Sequence, residues 1–214
     1  MNSFYNKIKV FLGIKEKETN PILSLFLDKK CVFFHIPKTA GISISNALFG
    51  DVKWGHRSVN FYKSHYGEKV FNSLYKFCFV RNPYDRLFSA YTFLKEGGIN
   101  NQDLEFSNSY LQEFASFDEF VLKGLEKEEI MNWVHFKPQY TFVCDENDNI
   151  VMDFVGKMEN LNADFNAVCK HLNIESELQK LNMSATKKND FSEEVKTMIK
   201  LKYQKDFNLF YPHL

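Results

Sequence analysis

Two apolar runs, CVFFHI at 31–36 and YKFCFV at 75–80, constrain the fold of this chain more than any other feature. Both runs are continuous and rich in β-branched and aromatic residues, which is typical of strands buried on both faces. Each run is followed by a turn and then by a helical pattern. Strands that alternate with helices predict an α/β domain in which a parallel β-sheet is flanked by helices.

The remaining elements are read from helix signals and from shorter apolar runs. After the second run, Asn82 can cap a helix, Pro83 suits its first position and Gly97–Gly98 can end it. Gly50 can close a short helix over 42–50. We expect two strands joined by a tight turn, at 141–144 and 150–156. Helices are expected at 117–126, 159–172 and 192–207, and Ser192 can cap the last of them.

Composition limits the classes of protein to consider. The 214 residues suit one main domain, and we expect it at 31–214 behind an N-terminal helical extension at 1–30. With 27 basic and 27 acidic residues the net charge is zero, which argues against a nucleic-acid partner and makes any anion site local. Four widely spaced cysteines without CxxC predict reduced thiols in a cytoplasmic chain.

The first 20 residues interleave apolar side chains with lysines. We expect a helix that packs on the domain, with weak contact to a membrane surface as the alternative. No stretch approaches the roughly 20 apolar residues of a transmembrane helix.

The first strand-to-helix turn, PKTAGIS, has the composition of an anion site. Ligands of such sheets bind beyond the carboxyl ends of the strands. Lys38 supplies positive charge, Thr39 and Ser43 supply hydroxyl groups, and Gly41 lets the main chain approach a ligand at a helix start. The turn differs from the nucleotide-triphosphate loop GxxxxGK[ST], whose glycines precede the lysine.

The second strand-to-helix turn, RNPYDRLFS, offers a second anion site. Arg81 emerges where the strand stops, and Ser89 lies about two helical turns further on. A ligand that reaches both turns would carry two separate anionic ends.

Together, HIPKTAGIS (35–43) and FVRNPYDRLFSAY (79–91) resemble the carbohydrate sulfotransferase superfamily of the Sulfotransfer_2 type. The likeness is to the heparan sulfate 2-O-sulfotransferase group and its bacterial relatives. It continues through WGH, PQY, DFVGKMENL, LNMS and YQKDFNLFY at 54–56, 138–140, 153–161, 181–184 and 203–211. The resemblance implies a single-domain, P-loop-NTPase-like sulfotransferase fold with a parallel sheet.

The resemblance also implies a donor, 3′-phosphoadenosine 5′-phosphosulfate (PAPS), with 3′-phosphoadenosine 5′-phosphate (PAP) as product and no required metal. Arg81 and Ser89 would hold the 3′-phosphate, and Lys187, with Lys188 beside it, is a further candidate. The 5′-phosphosulfate would lie on Lys38, Thr39, Ala40, Gly41, Ile42 and Ser43. Ile42 departs from the threonine that relatives often have.

A catalytic base is implied at His56, in the Gly-His that lies between the two donor motifs, with Lys38 stabilising the leaving phosphate. The alternative for His56 is a structural histidine near Trp54. The other histidines considered are His65 as a second candidate base, His135 as a residue of the acceptor cleft and His35 as a core residue.

The expected function is transfer of a sulfuryl group from PAPS to a hydroxyl of a carbohydrate or glycoconjugate. The absence of a membrane anchor and of a cysteine framework fits a bacterial-type cytoplasmic enzyme. Two alternatives stay open: a P-loop-type kinase or NTPase, and a protein that binds PAPS or a nucleotide without catalysis.

Overall fold

Three parallel strands form the sheet in the part of the chain that the computed structural model describes, residues 21–52, 55–178 and 190–214. They are β1 (Cys31–Phe34), β2 (Tyr75–Val80) and β3 (Phe154–Lys157), in that order across the sheet. β1 and β2 pair with Phe34 opposite Cys78, and every residue of β1 is buried. The predicted parallel α/β sheet with buried strands is confirmed.

Helices pack around this sheet. Before β2 lie α1 (Pro21–Asp28), α2 (Gly41–Phe49), α3 (Val59–Tyr66) and α4 (Glu68–Ser73). Between β2 and β3 lie α5 (Pro83–Lys95), α6 (Asn101–Phe106) with a π-helical turn (Ser107–Leu111), α7 (Phe117–Lys123), a 3₁₀ turn (Gly124–Glu126), α8 (Glu128–Asn132) and α9 (Tyr140–Val143). After β3 come a 3₁₀ turn (Met158–Asn160), α10 (Leu161–Leu172), α11 (Glu193–Lys202) and α12 (Gln204–Phe210).

The local signals at helix ends are confirmed. The Asn82 side chain accepts the Tyr84 N–H at 3.0 Å, and Pro83 takes the first position of α5. Gly97 and Gly98 both have positive φ after that helix ends. Ser192 accepts the Val195 N–H at 3.3 Å and so caps α11.

The structure corrects three expectations about the chain between 140 and 210. Residues 141–144 were expected to form a strand, but Tyr140–Val143 is a helix, and Cys144 makes only an isolated antiparallel bridge with Ile150. The strand expected at 150–156 begins later and is shorter, since β3 runs over Phe154–Lys157. The expected helix at 192–207 is broken at Tyr203 into α11 and α12.

The cysteines are part of the core rather than of a site. Cys31 in β1 and Cys78 in β2 are fully buried, and Cys144 and Cys169 are buried as well, all with free thiols. No helix within the described ranges has both the length and the apolar character needed to cross a membrane. The expectations about residues 1–20, Trp54, Lys187 and Lys188 fall outside the described residues.

Candidate active site

The carboxyl ends of β1 and β2 bring the two turns into contact. Arg81 Nη1 donates to the Lys38 carbonyl oxygen at 3.5 Å, a long bond that spans the two turns. Arg86, in the helix that follows Arg81, donates from Nη1 to the Pro37 carbonyl oxygen at 3.4 Å. Parallel pairing of the strands explains this meeting, because it places their carboxyl ends at the same edge of the sheet.

The main chain of the first turn has the alternation of an anion-binding nest. Lys38 and Ala40 have φ of 70° and 62°, and Thr39 lies between them without a positive φ. Such alternation points successive N–H groups into one concavity. Left-handed backbone at non-glycine residues costs of order 1–3 kcal/mol and is concentrated at functional sites. The turn therefore has the backbone geometry that an anion requires.

Side chains of this turn are less open to a ligand than the sequence suggests. Thr39 is fully buried, and its hydroxyl donates inward to the Ile36 carbonyl oxygen at 2.9 Å. Ile42 is exposed, and Ser43 is half-buried in the first turn of α2. The first N–H groups of a helix have no partner within it, so Gly41 and Ile42 can offer theirs to an anion.

Position 41 requires a glycine because the His35 side chain lies against it. A Cβ at this position would lie 1.8 Å from Cδ2 and 2.0 Å from Nε2 of His35. The sequence suggested that the glycine lets a ligand approach, whereas the close approach in the structure is made by the His35 ring. His35 thus packs directly on the anion turn.

His56 is held in one tautomer by the main chain of His35. Its Nδ1 lies 2.8 Å from the His35 carbonyl oxygen, and only a protonated nitrogen can donate to that oxygen. The proton is therefore on Nδ1, and Nε2 carries a lone pair. Burial lowers the pKa of His56; the bond to His35 opposes this, and the positive charges of Arg86 and Lys38 add to it. The imidazole is neutral at pH 7 and is competent as a base.

Lys38 is a partly desolvated cation. Its Nζ lies 3.8 Å from the centroid of the Phe93 ring. Burial, with a smaller contribution from Arg81, lowers the pKa of Lys38 to about 8, against the opposing charges of Asp103 and Glu96. A lysine in this state gains most from a bound anion, because an anion replaces the solvation that it has lost.

Arg81 is fixed through its main chain. The Gln139 side chain accepts the Arg81 N–H and donates to the Arg81 carbonyl oxygen, each at 2.9 Å. Gln139 is itself fixed by its own N–H, which donates to Asp206 Oδ2 at 2.7 Å. With the main chain held, the guanidinium is presented beside the first turn. Ser89 lies half-buried on the same helix that Arg81 precedes.

His135, Asp103 and Arg86 complete the site. Sequence reasoning identified His135 but missed the two charged residues. The His135 ring centroid lies 5.7 Å from that of His56, and His135 Nε2 lies 3.4 Å from Asp103 Oδ1. Fully buried Arg86 donates to the carbonyl oxygens of His135 and Lys137 at 3.3 and 2.5 Å. No local motif marks these contacts, since they join segments 30 or more residues apart.

The other sequence candidates lie elsewhere. His65 is exposed on α3, where its ring contacts those of Phe61 and Tyr66. Over the described ranges, no group of three or more His, Cys, Asp or Glu residues is arranged to hold a metal ion.

Comparison with known proteins gives the site its context. The family model described as "Sulfotransferase family" (Sulfotransfer_2) matches residues 25–212. An uncharacterized protein of Archaeoglobus fulgidus is 31% identical over 115 residues, which cover 52% of this chain and 78% of that protein. No solved structure gives a significant match. The rings of His35, His56 and His135 form a three-histidine cluster, since the His35 and His56 centroids lie 4.3 Å apart. The matched region contains β1, β2, both turns and this cluster, and the chain belongs to the sulfotransferase family.

Proposed function

We propose that the protein is a PAPS-dependent O-sulfotransferase that acts on a hydroxyl of a carbohydrate or glycoconjugate. The observation that carries this proposal is the bond from His56 Nδ1 to the His35 carbonyl oxygen, which leaves a basic nitrogen in the cluster beside the Lys38 turn. The proposal includes a single P-loop-NTPase-like domain at 31–214, an N-terminal extension at 1–30 and a cytoplasmic location.

The residues of the two turns fit the two anionic ends of PAPS. The nest at Lys38–Ala40 and the N–H groups of Gly41 and Ile42 suit the 5′-phosphosulfate, with Ser43 beside them. Arg81 and Ser89 suit the 3′-phosphate, for which an arginine can make two parallel hydrogen bonds. Thr39 would contribute its main-chain N–H, because its hydroxyl is used within the turn. Lys187 remains a candidate for the 3′-phosphate.

Each catalytic group has one task. When bound, PAPS supplies a sulfuryl group whose bond to the 5′-phosphate oxygen breaks as the acceptor oxygen bonds to sulfur. His56 Nε2 takes the proton of the acceptor hydroxyl, while Nδ1 keeps its bond to the His35 carbonyl oxygen. Lys38 supplies the positive charge that offsets the negative charge growing on the leaving oxygen. This assignment of tasks requires no metal ion.

The carbohydrate class of acceptor is supported by the motifs at 35–43 and 79–91, which resemble those of carbohydrate sulfotransferases. It is the part of the proposal that an acceptor screen addresses directly.

Titration calorimetry with PAP tests the donor site. Wild type is expected to bind PAP without added metal and to discriminate against ATP and AMP, which lack the 3′-phosphate. Lys38→Ala and Arg81→Ala should each weaken PAP binding by about tenfold to hundredfold, the worth of a charge-assisted hydrogen bond. Lys69→Ala, which removes an exposed lysine on α4, is the matched control and should bind as wild type does.

Two results would count against the proposal. Equal binding of ATP and PAP would favour the P-loop kinase or NTPase. PAP binding without sulfate transfer to any sugar in a screen would favour the non-catalytic binding protein.

The pH dependence of kcat/KM for PAPS is expected to be bell-shaped. His56 must be neutral to act, so activity falls as pH drops through a pKa below 6.5. Lys38 must be protonated to hold the anion, so activity also falls as pH rises through about 8. Activity that persists undiminished above pH 8 would contradict the assignment of Lys38, and activity that rises as pH falls below 6.5 would contradict the assignment of His56.

A further inference from the structure

Asp103 is a buried carboxylate at the edge of the three-histidine cluster. It is 3% exposed and lies in the first turn of α6. Asn100 Nδ2 and the Ile99 N–H donate to its Oδ2, at 2.9 and 3.4 Å. The Asp103 N–H in turn donates to the Asn100 side chain at 2.9 Å. The carboxylate is thus fixed from one side, and Oδ1 faces His135.

The contact between Asp103 and His135 selects a tautomer. His135 Nε2 lies 3.4 Å from Oδ1, and His135 Nδ1 is buried without a hydrogen-bond partner among the described residues. A proton on Nε2 points at the carboxylate. A proton on Nδ1 would leave a buried donor unpaired and set a lone pair against the negative oxygen. Burial lowers the pKa of His135 to about 3, so the ring is neutral.

The charges around His56 make Asp103 its main counter-ion. Lys38 and Arg86 are the cations that act on His56, and Arg81 adds its charge at Lys38. The neighbouring rings of His35 and His135 are both neutral, because burial lowers the pKa of each to about 3. Arg57 is turned to the Phe61 ring, 4.9 Å from its centroid. Of the two acids that act on Lys38, Glu96 is exposed and screened by solvent, whereas Asp103 is buried.

We propose that Asp103 is a positioning residue of the active site: it holds the proton of His135 on Nε2, and its charge stabilises His56 once that ring has taken the acceptor proton. The proposal rests on the sulfotransferase function argued above. Without Asp103, proton transfer would place an imidazolium beside two cations with no other buried carboxylate of the described residues acting on it.

Removing this charge should move both limbs of the pH profile in one direction. Protonated His56 and protonated Lys38 both lose a stabilising neighbour, so both groups give up their protons more readily. In Asp103→Asn, the acid and alkaline limbs should each move down by about one pH unit. The variant should also lower kcat by about tenfold to hundredfold, the usual cost of removing a group that orients an active-site histidine.

The matched control is Glu105→Gln, which makes the same change of charge on an exposed residue of the same helix. It should leave both limbs and kcat unchanged. A merely structural role for Asp103 predicts a lower profile with unmoved limbs. That result in Asp103→Asn, with PAP binding intact, would overturn the proposal.

Long-range ¹H–¹⁵N correlation spectra of the histidine side chains test the same point without any turnover. We expect His135 protonated on Nε2 and His56 on Nδ1 in wild type, and a lower titration of His56 in Asp103→Asn. If Asp103→Asn does not fold, the wild-type spectra still decide, because His135 protonated on Nδ1 would overturn the proposal. The spectra also keep the two proposals apart, since the tautomers can be as expected in a protein that transfers no sulfate.

Discussion

Replacing His56 with asparagine is expected to lower kcat by about 10²–10⁴-fold while leaving PAP affinity unchanged. The amide nitrogen of asparagine can take the place of Nδ1 and keep the bond to the His35 carbonyl oxygen, which is 2.8 Å long in the wild type. The variant has no counterpart of Nε2 and therefore cannot accept the acceptor proton. The geometry of the site is kept and only the basic nitrogen is lost.

Sulfate transfer and PAP calorimetry on the same preparations measure the two effects. His65→Asn is the control, because His65 is the exposed histidine that the sequence offered as a second base. It should retain full activity. Wild-type turnover in His56→Asn, or a large loss of activity in His65→Asn, would show that a residue other than His56 is the catalytic base.

Replacing Gly41 with alanine is expected to destabilise the protein by about 1–3 kcal/mol, the usual cost of inserting a carbon into a packed site. The new Cβ would approach two atoms of the His35 ring to 1.8 and 2.0 Å, so the ring must move. His35 also supplies the carbonyl oxygen that holds His56. The same substitution should therefore weaken PAP binding and lower kcat together.

A double-mutant cycle with His35→Ala separates this clash from a general effect of alanine in the turn. With the ring removed, Gly41→Ala should cost much less free energy of unfolding in a denaturant titration. Gly55→Ala is the spatial control, since a Cβ there would lie 3.7 Å from its nearest neighbour and should be tolerated. An equal cost of Gly41→Ala in both backgrounds would show that the His35 ring is not the cause.

Local signals predicted those parts of the fold whose stabilising contacts are close in sequence. The buried runs became β1 and β2, and the Asn82 cap was visible because its partner, the Tyr84 N–H, is two residues away. The pairing of the strands followed from their apolar faces and from the helices between them.

The segment expected as a strand at 141–144 is helical, because the residue that stabilises the start of this helix is distant in the sequence. Thr-Phe-Val-Cys has high strand propensity. In the structure, the Asp206 carboxylate accepts the N–H groups of Gln139 and Tyr140, at 2.7 and 2.9 Å, and satisfies the donors at the start of a helix. A cap supplied from 66 residues away leaves no mark on the local sequence.

The residues of the site likewise fall into those that the sequence predicted and those that it did not. The two turns were found from residue types at the ends of strands, where chemistry is expected. His56 was found from the resemblance of the Gly-His between them to that of the 2-O-sulfotransferases. The inward bond of Thr39 and the packing of His35 on Gly41 depend on side-chain direction, which the residue types do not specify. Asp103 was missed because a lone acid in a polar stretch resembles a solvated surface residue until it is seen against His135.

The reactivity of the two strand cysteines, Cys31 and Cys78, can be used to detect ligand binding. Cys31 and Cys78 are fully buried, and burial raises the pKa of both thiols, that of Cys31 to about 12. A thiol-reactive dye can modify them only in molecules whose sheet has opened, so the labelling rate follows the opening equilibrium. Any compound that binds only the folded form slows labelling in proportion to its occupancy. A library of sugars, each added with PAP, could thus be ranked by protection of these thiols before any sulfated product has been identified.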